Sequence, residues 1–85
     1  MNLSQYYVYI VQCSDDTFYT GITTDLDRRI TEHNKSKKGA KYTRSRRPVK
    51  LVYSRLIGTR SLAQKEEYKI KRLSRIKKKK LILGD

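Results

Sequence analysis

Apolar side chains fill both alternating sets of positions in residues 5–13, and this pattern predicts a β-strand. One face would carry Tyr7, Tyr9, Val11 and Cys13, and the other Tyr6, Val8, Ile10 and Gln12. A strand that is largely apolar on both faces is typical of the centre of a sheet. We therefore expect residues 5–13 to form a central strand.

A second strand is predicted at residues 17–23, after a polar turn. Ser14, Asp15 and Asp16 favour the turn because short polar side chains bond to their own backbone. Side chains alternate along a strand, so Tyr9 and Tyr19 share a face only if the hairpin loop has an odd number of residues. We predict an odd loop.

A helix is predicted from Thr24 or Asp25, either of which can cap it, to about residue 34. Asp27 would lie near the positive end of its dipole.

One stripe of this helix is predicted to face the sheet. Leu26 and Ile30 define the stripe. With successive side chains turned by about 100°, His33 falls on the stripe and Arg29 at its edge, whereas Arg28 points away. We therefore expect Arg29 to face the sheet and Arg28 to be solvated.

Residues 35–50 show no apolar periodicity and contain Gly39 and Pro48, so they are predicted to form a long basic loop. Loops of this length in compact domains are usually functional or disordered. The residues expected to bind a polyanionic substrate are Lys35, Lys37, Lys38, Lys41, Arg44, Arg46 and Arg47.

A third strand is predicted at residues 49–57, before Gly58, and a second long helix follows it. Ser61 with Gln64 resembles a capping box. The inward stripe of this helix would consist of Leu62, Ala63, Ile70 and Leu73. Residues 74–83 either continue the helix or form a separate turn whose end packs back. The expected fold is α/β, a small three-stranded, mainly antiparallel sheet flanked by helices.

Composition limits the classes of function. Eighty-five residues predict a single domain, and 21 Lys and Arg against 8 Asp and Glu give a net charge of +13. A charge of this size favours nucleic acid as the partner. No apolar run is long enough to span a membrane, and residues 1–5 do not resemble a secretory signal. Cys13 is the only cysteine, which excludes an internal disulfide and is compatible with a reducing cytoplasm.

Several short motifs, in this order, resemble the GIY-YIG nucleases. Residues 7–9 (YVY) lie where that family has its GIY triplet, and residues 19–21 (YTG) lie where it has YIG. Residues 21–34 look like its arginine-bearing helix and residues 63–71 like its glutamate helix. Residues 41–51 resemble the small single-domain bacterial branch. Tyr7 and Thr20 depart from the triplets at scaffold positions.

The resemblance implies a set of catalytic residues, namely Tyr9, Tyr19, Arg29, His33 and Glu67. By this resemblance, Glu67 would hold Mg²⁺ or Mn²⁺ and Arg29 would bind phosphate oxygens. His33 would move protons, Tyr9 would activate water, and Tyr19 would orient Tyr9, the water or the phosphate. The implied activity is Mg²⁺-dependent endonucleolytic cleavage of DNA. Because these residues show no second domain or recognition helix, we expect selection by DNA structure rather than by sequence.

The same residues also have purely structural interpretations. Tyrosines in strands commonly pack, a histidine on an apolar stripe is usually hydrogen-bonded in the core, and Glu67 could pair with Lys71 one turn later. Two other functions therefore stay open. One is a non-catalytic nucleic-acid-binding module, and the other is an accessory subunit that needs a partner to cut.

Overall fold

The computed structural model describes residues 4–84 as an antiparallel sheet with helices on both faces. The elements in chain order are β1 (Tyr6–Gln12), β2 (Phe18–Thr23), α1 (Leu26–Lys35), α2 (Lys41–Arg44), β3 (Lys50–Gly58), α3 (Arg60–Lys71) and α4 (Arg75–Leu83). The strand order is β2-β1-β3, which confirms both the fold class and the central place of β1. No described helix is long and apolar enough to cross a membrane.

The hairpin between β1 and β2 has the predicted odd loop. Gln12 pairs with Phe18, so residues 13–17 connect the strands, five in all. Val11 pairs with Tyr19 and Tyr9 with Gly21. Directly opposed residues point to the same side of a sheet, and Tyr19 therefore shares a face with Tyr9.

The two faces of the sheet carry separate clusters. The first, here called the tyrosine face, contains Tyr9, Val11, Cys13 and Val49, with Tyr19, Leu26 and Ile30 packed against them. The second, here called the aliphatic face, contains Val8, Ile10 and Ile70, with Phe18, Ile22, Val52, Tyr53, Ile57, Leu81 and Ile82 packed against them. Helix α1 therefore covers the tyrosine face, and α3 and α4 cover the aliphatic face.

Helix α1 agrees with its sequence prediction. Asp25 is the N-cap, and its side chain accepts a hydrogen bond from the Arg28 backbone N–H. His33 is buried. The side chain of Arg28 is 57% exposed, against 23% for Arg29, so the helix orients its two adjacent arginines differently, as predicted.

The prediction of an irregular loop at residues 35–50 was wrong in part. Four of these residues form α2, which buries Thr43, and Val49 is also buried beside the tyrosine face. A helix of four residues is too short to produce a readable apolar period, which explains why the sequence pattern missed it.

Three details of the C-terminal helices also differ from the predictions. The N-cap of α3 is Thr59, whose hydroxyl accepts from the Leu62 backbone N–H, and not Ser61. Leu62 is half exposed, so it is not part of the inward stripe. Residues 75–83 form a separate helix, α4, which is capped by Ser74 and packs back on the sheet through Leu81 and Ile82.

Candidate active site

A buried hydrogen bond between Tyr9 and His33 lies at the centre of the tyrosine face. The Tyr9 hydroxyl oxygen is 2.7 Å from His33 Nε2, although the residues are 24 positions apart in the chain. β1 supplies the phenol and α1 supplies the imidazole, and both side chains are almost completely buried. The sequence predicted only that His33 faces the sheet and that Tyr9 lies on one of its faces. The packing of α1 on that face brings the two side chains into contact.

The other ring nitrogen of His33 is held by Thr43 of α2. His33 Nδ1 is 2.9 Å from Thr43 Oγ1, and this hydroxyl donates to the Ala40 carbonyl at 2.9 Å. Because the Thr43 proton goes to the carbonyl, its oxygen accepts from Nδ1–H. The Ala40 backbone N–H also points at Nδ1, but at 3.4 Å this contact is longer and weaker than the 2.9 Å contact with Thr43, which decides the tautomer. Nε2 is then the acceptor of the Tyr9 O–H. We assign this tautomer from the hydrogen-bond network.

Thr43 is a residue that sequence reasoning missed. It is fully buried and belongs to the segment that was predicted to be a loop. Residues 41–51 resemble the small bacterial branch of the family, but this resemblance gave Thr43 no role and indicated no buried partner. Thr43 is held by polar hydrogen bonds, and a pattern of hydrophobic residues cannot indicate such bonds.

Tyr19 joins the same cluster through its ring. Its centroid is 5.4 Å from that of His33 in an edge-on arrangement. On its other side Tyr19 stacks on Tyr42, with centroids 6.0 Å apart, and the Arg46 guanidinium lies 3.9 Å from the Tyr42 centroid. Tyr42 is another residue that the sequence interpretation did not single out.

Gly21 makes room for the Tyr9 hydroxyl. A Cβ atom at position 21 would lie 2.5 Å from this oxygen, which is closer than real side chains approach. The glycine stands directly opposite Tyr9 in the hairpin. Its lack of a side chain therefore fixes where the phenol oxygen sits.

Arg29 lies at the edge of the cluster. Its guanidinium donates to the Glu32 carboxylate at 3.0 Å and to the Lys38 carbonyl at 2.8 Å. Burial raises the pKa of Tyr9, and the nearby positive charge of Arg29 opposes this rise. Arg29 is partly exposed, whereas Tyr9 is buried. The cluster therefore has a cationic side that solvent can reach.

Burial shifts the pKa values of both central groups away from their charged forms. Desolvation raises the pKa of Tyr9 to about 12, against the lowering effect of Arg29. Desolvation, followed by the charge of Arg29, lowers the pKa of His33 to about 4. At neutral pH the protein therefore holds a protonated phenol against a neutral imidazole.

Glu67 forms no hydrogen bond or ion pair with the other four predicted site residues. It lies on α3, and Ile70 of the same helix packs on the aliphatic face. Its carboxylate is 3.6 Å from the Lys71 ammonium, which is the ordinary helix pair considered above. Burial is the main cause of the raised pKa of Tyr9, and the negative charge of Glu67 adds to it. Glu67 is thus linked to the cluster by electrostatics alone.

The carboxylates and other possible metal ligands near the cluster could hold a cation that keeps most of its water molecules. They could not surround a cation with protein ligands alone. Within residues 4–84, no three His, Cys, Asp or Glu side chains are grouped to hold an ion. Mg²⁺ is commonly held by one or two carboxylates, with water and substrate phosphate as its remaining ligands. A partly exposed Glu67 fits that mode.

Two of the seven basic residues predicted to bind substrate form hydrogen bonds or ion pairs with other residues of the protein. The Arg47 guanidinium donates to the carbonyls of His33, Glu32 and Ser36, and Arg46 pairs with the Asp15 carboxylate at 3.0 Å. The other five are exposed, and none of their side chains forms an ion pair or hydrogen bond with another described residue. These five are Lys35, Lys37, Lys38, Lys41 and Arg44.

Known proteins resemble this chain over almost its whole length. The family model described as the GIY-YIG catalytic domain matches residues 5–80. UPF0213 protein DP2720 of Desulfotalea psychrophila is 62% identical over 77 residues, which is 91% of this chain and 70% of that protein. A UPF0213 protein of Syntrophus aciditrophicus is 51% identical over 80 residues, or 94% of this chain and 92% of that protein.

Solved structures give the same result. The NMR structure of UPF0213 protein BH0048 from Bacillus halodurans is 48% identical in sequence, covers 95% of this chain and 85% of its own, and has a TM-score of 0.61. The structure of EF2693 from E. faecalis is 42% identical, covers 98% and 88%, and has a TM-score of 0.65. Domains of the matched type are typically endonucleases and generally depend on a divalent metal. This chain belongs to the GIY-YIG family and is similar to its small UPF0213 members.

Proposed function

We propose that the protein is a Mg²⁺-dependent endonuclease that hydrolyses DNA phosphodiester bonds and selects DNA by structure rather than by sequence. One observation carries the proposal. Two of the residues singled out by the family resemblance, Tyr9 and His33, share a buried hydrogen bond, and Tyr19 and Arg29 lie beside it.

The Tyr9–His33 pair can move a proton without forming a free phenolate. A phenol with a pKa of about 12 is a poor base at neutral pH, because it still carries its own proton. His33 Nε2 is an unprotonated acceptor at 2.7 Å. Tyr9 can therefore take a proton from the attacking water as it passes its own to His33. Thr43 is a positioning residue, since its contact with Nδ1 keeps Nε2 free to accept.

Arg29 and Tyr19 are placed to receive the phosphate. Both are partly exposed, whereas Tyr9 is almost fully buried, so we expect the substrate to approach through these two residues. The guanidinium carries a permanent charge in a planar fork that matches phosphate oxygens. It would offset the negative charge that grows on those oxygens during hydrolysis.

Glu67 would hold the divalent cation. When bound, the cation supplies Lewis-acid stabilisation of the phosphoryl oxygens and lowers the pKa of nearby hydroxyl groups. The Lys71 ammonium must release the Glu67 carboxylate for this role, and their separation of 3.6 Å at the surface makes that a small cost.

The five exposed cations at positions 35, 37, 38, 41 and 44 would contact the DNA backbone. Such contacts provide affinity that falls steeply with salt, and they carry no sequence information directly. Selection would then depend on DNA shape at branches, flaps or ends.

One observation favours the second candidate function, a non-catalytic binding module or an accessory subunit. Glu67 has an ion-pair partner, and among the described residues it forms no hydrogen bond or ion pair with Tyr9, Tyr19, Arg29 or His33. In that case the tyrosine face would be a hydrogen-bonded core, and the basic residues alone would act on nucleic acid.

Cleavage of a panel of DNA substrates tests the proposal. Branched, flap, duplex and single-stranded DNA are incubated with the wild type in Mg²⁺ or Mn²⁺. We expect cleavage of at least one structured substrate and loss of this cleavage in Glu67→Gln, with unchanged DNA binding. Glu66→Gln removes the same charge from the neighbouring position and should leave cleavage intact. If the wild type binds every substrate and cuts none, the binding-module function replaces the nuclease.

A further inference from the structure

Helix α3 has a polar and aromatic outer surface that the proposed activity does not use. Ser61, Lys65, Tyr68 and Arg72 recur at intervals of three and four residues and therefore form one stripe. This stripe lies about half a turn from the buried residues of the helix. The outer surface of α3 is defined here as Ser61, Gln64, Lys65, Tyr68, Lys69 and Arg72, all of which are exposed.

Charge is segregated around α3. Its two acidic residues, Glu66 and Glu67, are partly buried and flank the side that packs on the sheet. The outer surface holds only cationic charges, from Lys65, Lys69 and Arg72. Within residues 4–84 none of these three cations forms an ion pair with Asp or Glu. The outer surface therefore presents unneutralised positive charge.

Tyr68 gives this surface an aromatic platform. It is 60% exposed, and its hydroxyl accepts a hydrogen bond of 2.7 Å from the Arg72 guanidinium, which holds the ring in place. Tyr68 lines a shallow groove of about 550 Å³ together with Ser61, Gln64, Lys65 and Lys69. An exposed ring beside an apolar groove and free cations requires a ligand with both a flat apolar face and negative charge.

Helix α4, which packs on the same face of the sheet as α3, is also basic. This helix contains Lys77, Lys78, Lys79 and Lys80, and the Arg75 guanidinium lies 4.9 Å from the centroid of the Phe18 ring. No acidic residue occurs between positions 68 and 84. Both helices that cover the aliphatic face therefore carry net positive charge.

We propose that the outer surface of α3 binds an unpaired nucleic-acid strand, with a base stacked on Tyr68 and phosphates on Lys65, Lys69 and Arg72. Aromatic rings beside a positively charged groove are how proteins hold single strands without sequence preference. A duplex hides its base faces within the stack and cannot use the ring. The surface belongs to a helix on the aliphatic face, so it is separate from the Tyr9–His33 cluster and does not depend on cleavage.

A tryptophan reporter can test this surface directly. The chain contains no tryptophan, so Tyr68→Trp introduces a single reporter at an exposed helix position. It is combined with Glu67→Gln and titrated with oligothymidine in the presence of EDTA. We expect saturable quenching of the tryptophan fluorescence, because the base stacks on the indole. An abasic oligomer of equal length and a duplex of equal length should give no such quenching.

Charge variants in the reporter background identify the phosphate contacts. Lys65→Ala with Lys69→Ala should lower the slope of log affinity against log salt by about 1.4, at about 0.7 for each lost phosphate contact on a single strand. Arg28→Ala with Lys50→Ala removes the same charge from two exposed positions outside α3 and α4, neither of which is assigned a role in cleavage or DNA binding. This control pair should leave the slope of the fluorescence titration unchanged.

The native ring is tested in the protein without tryptophan. Binding of labelled oligothymidine, followed by anisotropy, should weaken about fivefold or more in Tyr68→Ala and stay within about twofold in Tyr68→Phe. Absence of quenching of the tryptophan reporter at saturating oligothymidine, or equal quenching by the abasic oligomer, would overturn the proposal. Both readouts are independent of cleavage, so a failed nuclease assay and a failed second surface are distinguishable.

Discussion

The two faces of the central strand differ in chemistry, although the same seven residues supply both. On the tyrosine face the buried groups include a hydrogen-bonded chain of Tyr9, His33 and Thr43 beside apolar residues such as Val11. On the aliphatic face Val8 and Ile10 meet Ile70, and the buried polar residue there is Thr20, which stands opposite Ile10 in the hairpin. Buried polar groups require matched partners and contribute little net stability, whereas apolar contacts stabilise without fixing a geometry. The fold thus places its candidate chemistry on one face and most of its aliphatic packing on the other.

The largest expected effect on cleavage comes from removing the hydroxyl of Tyr9 while its ring is kept. Tyr9→Phe keeps the packing and removes the proton relay, so single-turnover cleavage should fall by about 10²- to 10⁴-fold. Tyr53→Phe removes a phenol hydroxyl from the aliphatic face and is the matched control. A loss of less than about tenfold in Tyr9→Phe would show that this hydroxyl has no part in the chemistry.

The adjacent arginines of α1 provide the next contrast. Arg29→Ala removes the charge beside Tyr9 and should reduce cleavage by about 10²-fold or more. Arg28→Ala removes an equal charge from the solvated side of the helix and should change cleavage by less than about twofold. Rates are compared at saturating DNA, so that lost affinity does not count as lost catalysis. Equal effects of the two variants would contradict the orientation of α1.

Ile10→Ala tests the aliphatic face. Ile10 is completely buried, so the substitution leaves a cavity and should lower the free energy of unfolding by about 2–5 kcal/mol. Denaturant unfolding measures this loss. The rate of cleavage per folded molecule should stay close to wild type. A fall in that rate as large as in Tyr9→Phe would show that the two faces are not chemically independent.

The smallest expected effect is the pH dependence that His33 confers. Its pKa is lowered from 6.5 to about 4 by burial, so between these values the unfolded chain binds a proton that the folded protein excludes. Stability from His33 is therefore complete above about pH 6.5 and decreases as the pH falls towards 4, by up to about 3 kcal/mol. His33 is the only histidine, so its ring proton NMR signals report this pKa without ambiguity. A midpoint near 6.5 would show that burial does not disfavour the imidazolium.

The sequence predicted the parts of the site that follow from local periodicity. Alternation in β1 and β2 placed Tyr9 and Tyr19 on one face once an odd loop was assumed, and the register confirms it. The helical period of α1 separated Arg29 from Arg28 and directed His33 inwards. These outcomes depend on side-chain direction within a single element or hairpin, which the spacing of residues fixes.

The sequence did not predict features that depend on contacts between distant segments. Thr43 is buried against His33 of α1, with which it forms a hydrogen bond. No residue pattern within α2 indicates this contact. The start of α3 was misplaced because Ser61 is intrinsically the better cap, whereas the helix begins directly after β3 ends at Gly58 and is capped by Thr59. The relation of Glu67 to the tyrosine face likewise depends on how α3 crosses the sheet.

The close approach of the Tyr9 hydroxyl to the backbone of residue 21 provides a diagnostic for other chains of this kind. A side chain at that position would occupy the space of the phenol oxygen. A homologue that keeps its first tyrosine but has alanine or serine opposite it must therefore hold the ring differently. The residue at position 21 can thus identify a homologue with an altered or inactive site, even when all the polar site residues are present.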